Sequence, residues 1–129
     1  MDSWHESYAQ AMKESRKQGK PVLVWFTNSK RNQASAALSN EVFSGPQFED
    51  WAEEKVIRLR VDQNVQDSER DRFIKKRDYV NELRERHKVL GAPVVLMLSP
   101  RGAEFGRYRG YKSGDPVFYF GRLRSAYRN

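Results

Sequence analysis

The sequence predicts an α/β fold: a central mixed sheet of about four strands flanked by helices, with a helical extension at the N-terminus. Three observations predict it. Apolar runs rich in β-formers stand at Pro21 to Phe26 (PVLVWF), Lys55 to Asp62 (KVIRLRVD) and Val94 to Leu98 (VVLML). Between the first two runs, apolar residues recur at helical spacing, which makes a strand–helix–strand unit, parallel and right-handed in nearly all cases. After the third run, Ser99-Pro100-Arg101-Gly102 has type I turn chemistry, Pro second and Gly fourth, and returns the chain as an antiparallel hairpin.

The elements follow in order. Trp4, Tyr8, Ala11 and Met12 fall at i, i+4, i+7 and i+8, one face of an amphipathic helix, with Asp2 or Ser3 as N-cap and Gly19 and Pro21 as its stop. PVLVWF is apolar on both faces and reads as an interior strand of a covered sheet. After NSKRNQAS (Asn28 to Ser35), Ala34, Ala37, Leu38 and Val42 keep helical spacing until Ser44-Gly45-Pro46 interrupts them. Pro46 suits the first turn of a new helix, whose buried stripe is Phe48, Trp51 and Ala52. KVIRLRVD is the second strand. From Gln63 to Asp78 the chain is almost entirely polar; Ser68 with Asp71 resembles a capping box opening a helix that carries Phe73, Val80 and Leu83, the rest being an exposed loop or insertion. VVLML and the alternating AEFGRYRGY (Ala103 to Tyr111) form the hairpin. Asp115 caps a last helix with Pro116 first and Phe120, Leu123 and Tyr127 as its stripe; Gly121 weakens it by about 1 kcal/mol relative to Ala. The economical reading of 129 residues is a single domain over 1–129.

Composition removes whole classes of chemistry. There is no cysteine, which excludes disulfides, thiolate catalysis and Cys-ligated metal centres. No apolar run approaches the roughly 18 residues of a membrane span. MDSWHESYAQ lacks the basic-then-apolar pattern of a secretion signal, so the expected location is cytoplasmic, or periplasmic or secreted had a signal been removed. The formal net charge is +7, from 24 basic against 17 acidic residues. The excess concentrates late, where Arg101, Arg107, Arg109, Lys112, Arg122, Arg124 and Arg128 face only Glu104 and Asp115. Such a basic patch attracts nucleic acid or an acidic partner, or is simply a solvated surface.

Other chemistries find little support. Ser35 would need a base, and the only histidines, His5 and His87, are placed on other helices; it reads as a first-turn residue satisfying backbone N–H groups. Asp62 to Asp71 fails as a calcium loop, with Asp67 where the Gly belongs and Phe73 where the bidentate Glu belongs. GRYRG (Gly106 to Gly110) lacks the spacing of a phosphate loop. RYRGYK (Arg107 to Lys112) mixes Arg with Tyr, but its alternation is that of an edge strand. No cofactor and no metal is expected.

Several stretches carry a resemblance. Trp4 and Tyr8, then KPVLVWF (Lys20 to Phe26), then the segment from Glu41 to Phe48, then Gly91-Ala92-Pro93 before the third strand, occur in order. In these the chain resembles the thioredoxin fold and, more narrowly, is similar to bacterial thioredoxin-like proteins related to disulfide isomerases. The resemblance implies a W-C-x-x-C site after the first strand. Here Arg31 falls on its Trp, Asn32 and Ser35 on its cysteines, and Gln33 and Ala34 between them. Thiol–disulfide exchange begins with thiolate attack on a disulfide, and neither Asn nor Ser supplies one. The resemblance also implies a groove between that helix start and a cis-Pro loop (Gly91, Ala92, Pro93) along which an extended polypeptide lies, with Lys30 and Arg31 able to attract an acidic ligand. The expected function is a redox-inactive protein- or peptide-binding, chaperone-like module. The alternatives are a cysteine-substituted form of a thiol–disulfide oxidoreductase, and nucleic-acid or acidic-partner binding through Arg101, Arg107, Arg109, Lys112, Arg122 and Arg124.

Overall fold

A computed structural model of the chain describes residues 3–30, 32–66 and 69–128. The elements are α1 (Tyr8–Gln18), β1 (Val22–Thr27), α2 (Gln33–Leu38) running into a π-helical turn (Ser39–Phe43), α3 (Pro46–Lys55), β2 (Ile57–Asp62), α4 (Arg70–His87), β3 (Val94–Leu98), β4 (Glu104–Arg109) and α5 (Pro116–Arg128). The strands lie in the order β2-β1-β3-β4, with β1 parallel to β2 and antiparallel to β3, and β3 antiparallel to β4.

Two central strands explain the two apolar runs. Every residue of β1 and β3 is buried, because their period-two alternation feeds a separate core on each face. Val22, Val24, Phe26, Leu96 and Leu98 pack with Ala11, Met12 and Leu83 from α1 and α4. Leu23, Trp25, Val95 and Met97 pack with Leu38, Phe43, Phe48 and Leu123 from the opposite layer.

Three expectations are corrected. First, α1 starts at Tyr8, with Ser7 as N-cap accepting from the Gln10 N–H at 3.3 Å; Ser3 is not the cap, and Asp2 lies outside the described residues. Trp4 precedes the helix and packs on the other face of the sheet, 5.4 Å from Trp25 and 5.1 Å from Phe43, so its helical spacing with Tyr8 is coincidental. His5 instead bridges in parallel to Leu59, donating to the Arg58 carbonyl at 2.8 Å and accepting from the Arg60 N–H at 2.9 Å, which covers the edge of β2.

Second, the spacing from Ala34 to Val42 is not one α-helix. Ser44 N–H donates to the Ser39 carbonyl five residues back (2.9 Å), and this wider turn lets the adjacent Val42 and Phe43 both reach the core. Third, the helix expected to open in the polar stretch and carry Phe73, Val80 and Leu83 is present as α4, and the correction concerns its cap. α4 needs only a narrow stripe, Val80 and Leu83 buried with Phe73, Ile74, Tyr79, Arg84 and His87 half-buried, while its other residues are exposed. Its N-cap is Glu69, without a side-chain capping bond; Ser68 lies outside the described residues.

The hairpin turn closes as its residues dictate, with Gly102 at φ 87° and its N–H donating to the Ser99 carbonyl at 2.8 Å. α5 buries Phe120 and Leu123 as its pattern predicts, and also Tyr119, outside the predicted stripe. No helix among the described residues is long and apolar enough to cross a membrane.

Candidate functional site

Sheet topology gathers three loops at one end. Val94, the first residue of β3, pairs with Phe26 near the end of β1 and with Arg109 at the end of β4. The approach to α2, the Gly91–Pro93 loop and the loop from Gly110 to Asp115 are therefore neighbours.

Asn32 joins the first two. Its extended backbone (φ −134°, ψ 106°) makes it the N-cap of α2, where Oδ1 accepts from the Ser35 N–H at 2.8 Å. The other end of the same amide, Nδ2, donates to the Ala92 carbonyl at 2.6 Å. The Ala92–Pro93 peptide bond is cis. On either side, Gln63 Nε2 donates to the Gly91 carbonyl (2.9 Å) and the Gly110 N–H to the Pro93 carbonyl (2.7 Å). Three successive carbonyls of this loop thus have internal donors.

Ser35 is 2 % exposed, and its hydroxyl oxygen accepts from the Asn28 N–H at 3.4 Å, a structural role in the first turn. Gln33 is exposed and Ala34 half-buried; Arg31 lies outside the described residues. Lys30, exposed, donates its N–H to Asn28 Oδ1 at 3.3 Å. Asp62 fastens this loop to the end of β2 through the N–H groups of Ser29 (3.1 Å) and Asn64 (2.9 Å), rather than serving as a metal ligand. Among the described residues no group of three or more His, Asp or Glu side chains could hold a metal ion, and Asp67 lies outside them. Neither histidine partners Ser35: His5 is on the β2 edge, and His87 faces the Tyr8 ring at 5.9 Å, its pKa lowered by burial first and the Arg86 charge second.

A residue without any assigned role in the sequence reading ties the third loop in. Glu41, on the π-helical turn, accepts from the Tyr111 hydroxyl (2.7 Å), the Gly114 N–H (2.7 Å) and the Ser113 hydroxyl. Ser113 first, then Gly114 and Tyr111, hold its carboxyl below the usual 4.5. Tyr111 in turn is pushed up to about 12, by desolvation and then by Glu41. A lone acid before Val42 and Phe43 gave no sequence signal, because its partners lie some seventy residues away.

The basic residues do not form one surface. Arg107 is committed to Glu104 (2.8 and 2.9 Å) and to the His87 and Lys88 carbonyls at the C-terminus of α4. Arg101 sits in the hairpin turn at the opposite end of the sheet, beside Arg16 and Arg86. Arg124 stacks on Phe120, 4.6 Å from its ring centre. Arg109, Lys112 and Arg122 alone share one depression, of about 270 Å³, with Tyr111 and Tyr119. The side chain of Arg128 lies outside the described residues.

The chain matches the thioredoxin-like domain family over residues 8–117. It is similar to the disulfide bond reductase DsbH of Chlamydia pneumoniae, 26% identical over 124 residues that cover 94% of this chain and 70% of that protein. It is also similar to the thioredoxin-related protein DsbJ of the same organism, 25% identical over 127 residues covering 88% of this chain; it spans only 34% of DsbJ. Among solved structures, a DsbH oxidoreductase superposes with a TM-score of 0.83 at 22% identity, covering 97% of this chain and 83% of that one. A thioredoxin from Thermus thermophilus superposes at 0.73 with 20% identity, covering 96% and 87%. At such identities the structural likeness establishes the fold. With the family match spanning most of its length, this cysteine-free chain belongs to the thioredoxin-like domain family.

Proposed function

We propose that the chain is a single, redox-inactive thioredoxin-like domain that binds an extended polypeptide in the groove between the start of α2 and the Gly91–Pro93 loop. The observation that carries this reading is the Asn32 amide. At the position of the first cysteine in the resembled motif, it caps α2 and bonds to Ala92 across the groove, which keeps both walls in place with no sulfur. Ser35, at the position of that motif's second cysteine, is buried and neither histidine is placed to act as its base. A peptide strand would lie against backbone groups and adjoining pockets, as in strand-addition recognition.

Amide NMR titration with a set of unstructured peptides tests this. Binding should shift residues 33 to 35 and 91 to 94; binding peptides that leave these unshifted would refute the groove. In an insulin-reduction assay with dithiothreitol the chain should add nothing to the uncatalysed rate. The name of DsbH, a disulfide bond reductase, favours a second reading, that the chain is a cysteine-substituted oxidoreductase. Cys codons at positions 32 and 35 of the gene would establish it. Nucleic-acid binding has weaker support, because only three of six candidate cations come together; a steep salt dependence of oligonucleotide affinity would be its signature.

A further inference from the structure

Beside the Gly91–Pro93 loop stand cationic groups and exposed apolar groups; of the cations, Arg122 lies over the Tyr108 ring, 5.0 Å from its centre, and its charge has no carboxylate partner among the described residues. Arg109, Lys112 and Arg122 line one depression whose single carboxylate is Asp115. Among the described residues none of these three is in an ion pair, whereas Arg58, Arg86 and Arg107 each hold a glutamate. At the lip of the depression, in the first turn of α5, Val117 and Phe118 are 77% and 63% exposed. Val117 also borders a second depression of about 250 Å³, lined by Val42, Pro46, Phe48 and Phe120 and by Glu41, whose carboxylate is taken up by Tyr111, Ser113 and Gly114. Backbone continuity links all this to the groove, since the Gly110 N–H is bonded to the Pro93 carbonyl.

We infer that this face docks an acidic polypeptide segment carrying a large apolar side chain. Its carboxylates meet Arg109, Lys112 and Arg122, and its apolar side chain covers Val117 and Phe118. The inference rests on the groove reading, of which it names the partner class. A second copy of the chain is disfavoured, because each copy carries +7. Among the described residues of this face, nucleic acid would find a single exposed stacking ring, Phe118, since the Tyr111 and Tyr119 rings pack edge-on against each other at 5.3 Å and the Tyr111 hydroxyl is held by Glu41.

The probe is a fluorescein-labelled peptide of glutamates around one central leucine, read by anisotropy. Wild type should bind it, and the same peptide with glutamine for glutamate should bind at least about tenfold more weakly. R109E/K112E and V117S/F118S should each weaken binding by about tenfold or more, while K13E/K17E, an equal charge change on exposed α1 positions, should change it less than about twofold. Should charge reversal unfold the chain, R109Q/K112Q replaces it with the same expected direction. No binding by wild type, equal loss in K13E/K17E, or equal affinity for the glutamine peptide would overturn the inference. So would oligo-dT binding as tightly and with the same sensitivity to R109E/K112E. The two readings fail separately. Neutral peptides that shift residues 33 to 35 and 91 to 94 without acid selectivity leave the groove and remove this inference. Glutamate-peptide shifts confined to residues 109 to 122 do the reverse.

Discussion

Replacing Asn32 isolates what ties the start of α2 to the Gly91–Pro93 loop. Its amide makes two bonds with different atoms: Oδ1 with the Ser35 N–H, and Nδ2 with the Ala92 carbonyl. Loss of an N-cap costs about 1 kcal/mol. A neutral hydrogen bond between partly buried groups contributes about 1 kcal/mol net. Asn32→Ala loses both and should cost about 2 kcal/mol, which in a chain of this size lowers Tm by roughly 6–10 °C. Asn32→Ser keeps a capping oxygen but is too short to reach Ala92, so it should cost about 1 kcal/mol. Asn32→Asp keeps the cap and gains from the helix dipole, yet sets a carboxylate against the Ala92 carbonyl, and should fall between the other two. Urea unfolding followed by tryptophan fluorescence ranks the series. If Asn32→Ser is as stable as wild type, the Ala92 bond contributes nothing. If Asn32→Ala lies within about 0.5 kcal/mol of wild type, neither bond does.

Three further perturbations follow from the packing. Glu41 is held below its ordinary pKa of 4.5, chiefly by Ser113, so the unfolded chain takes up its proton first; the stabilisation is complete above 4.5 and fades as pH falls through the folded value. Glu41→Gln should therefore be less stable than wild type at about pH 7 and converge with it in acid; a gap independent of pH in urea titrations would contradict this. Arg58 is 3% exposed while its partners Glu49 and Glu53 are 46% and 73% exposed. Removing both carboxylates (E49A/E53A) strands a buried charge and should cost about 3 kcal/mol, whereas Arg58→Met, which leaves two carboxylates free to hydrate, should cost about 1; the reverse order by denaturant midpoint would sink the argument. Gly121 lies inside α5, and a Cβ built there meets nothing within 4 Å. Gly121→Ala should stabilise by about 0.5–1 kcal/mol, measured by thermal unfolding, and no gain would imply a backbone unsuited to Ala.

The parts of the fold legible in the sequence are those set by local periodicity. PVLVWF reads as a strand covered on both faces and VVLML as a strand, and Pro46, Gly102 and Pro116 mark where elements start or turn. Trp4 misled because an extended segment can by chance place an aromatic four residues before a helix; what decided its position was Trp25 and Phe43, distant in sequence. α4 was legible as a helix carrying Phe73, Val80 and Leu83, but its extent was not, because a helix on the rim buries so little. At the site, the absence of sulfur excludes the thiol reaction without any structure. The part played by Asn32 was out of reach, since its second partner is sixty residues away and becomes a neighbour only once β1 and β3 are paired. Glu41 illustrates the same limit, as does the dispersal of the basic residues, which adjoin in sequence but point to different faces.

The bonds that close the site also constrain what it can recognise. The carbonyls of Gly91, Ala92 and Pro93 each accept from an internal donor, Gln63, Asn32 and Gly110, so an incoming strand that donated to them would be the second donor on an oxygen with one lone pair already in use. Each such shared hydrogen bond contributes no more than the net value of an ordinary one, about 1 kcal/mol. Backbone pairing at this loop is therefore a weak source of affinity. On the proposed reading, selectivity comes from the side chains around it: the cations Arg109, Lys112 and Arg122, none in an ion pair among the described residues, and the exposed Val117 and Phe118. Asn32→Ala provides the check, since freeing the Ala92 carbonyl should strengthen binding of uncharged peptides relative to acidic ones. If the ratio of the two affinities is unchanged, the occupied carbonyl has no bearing on recognition.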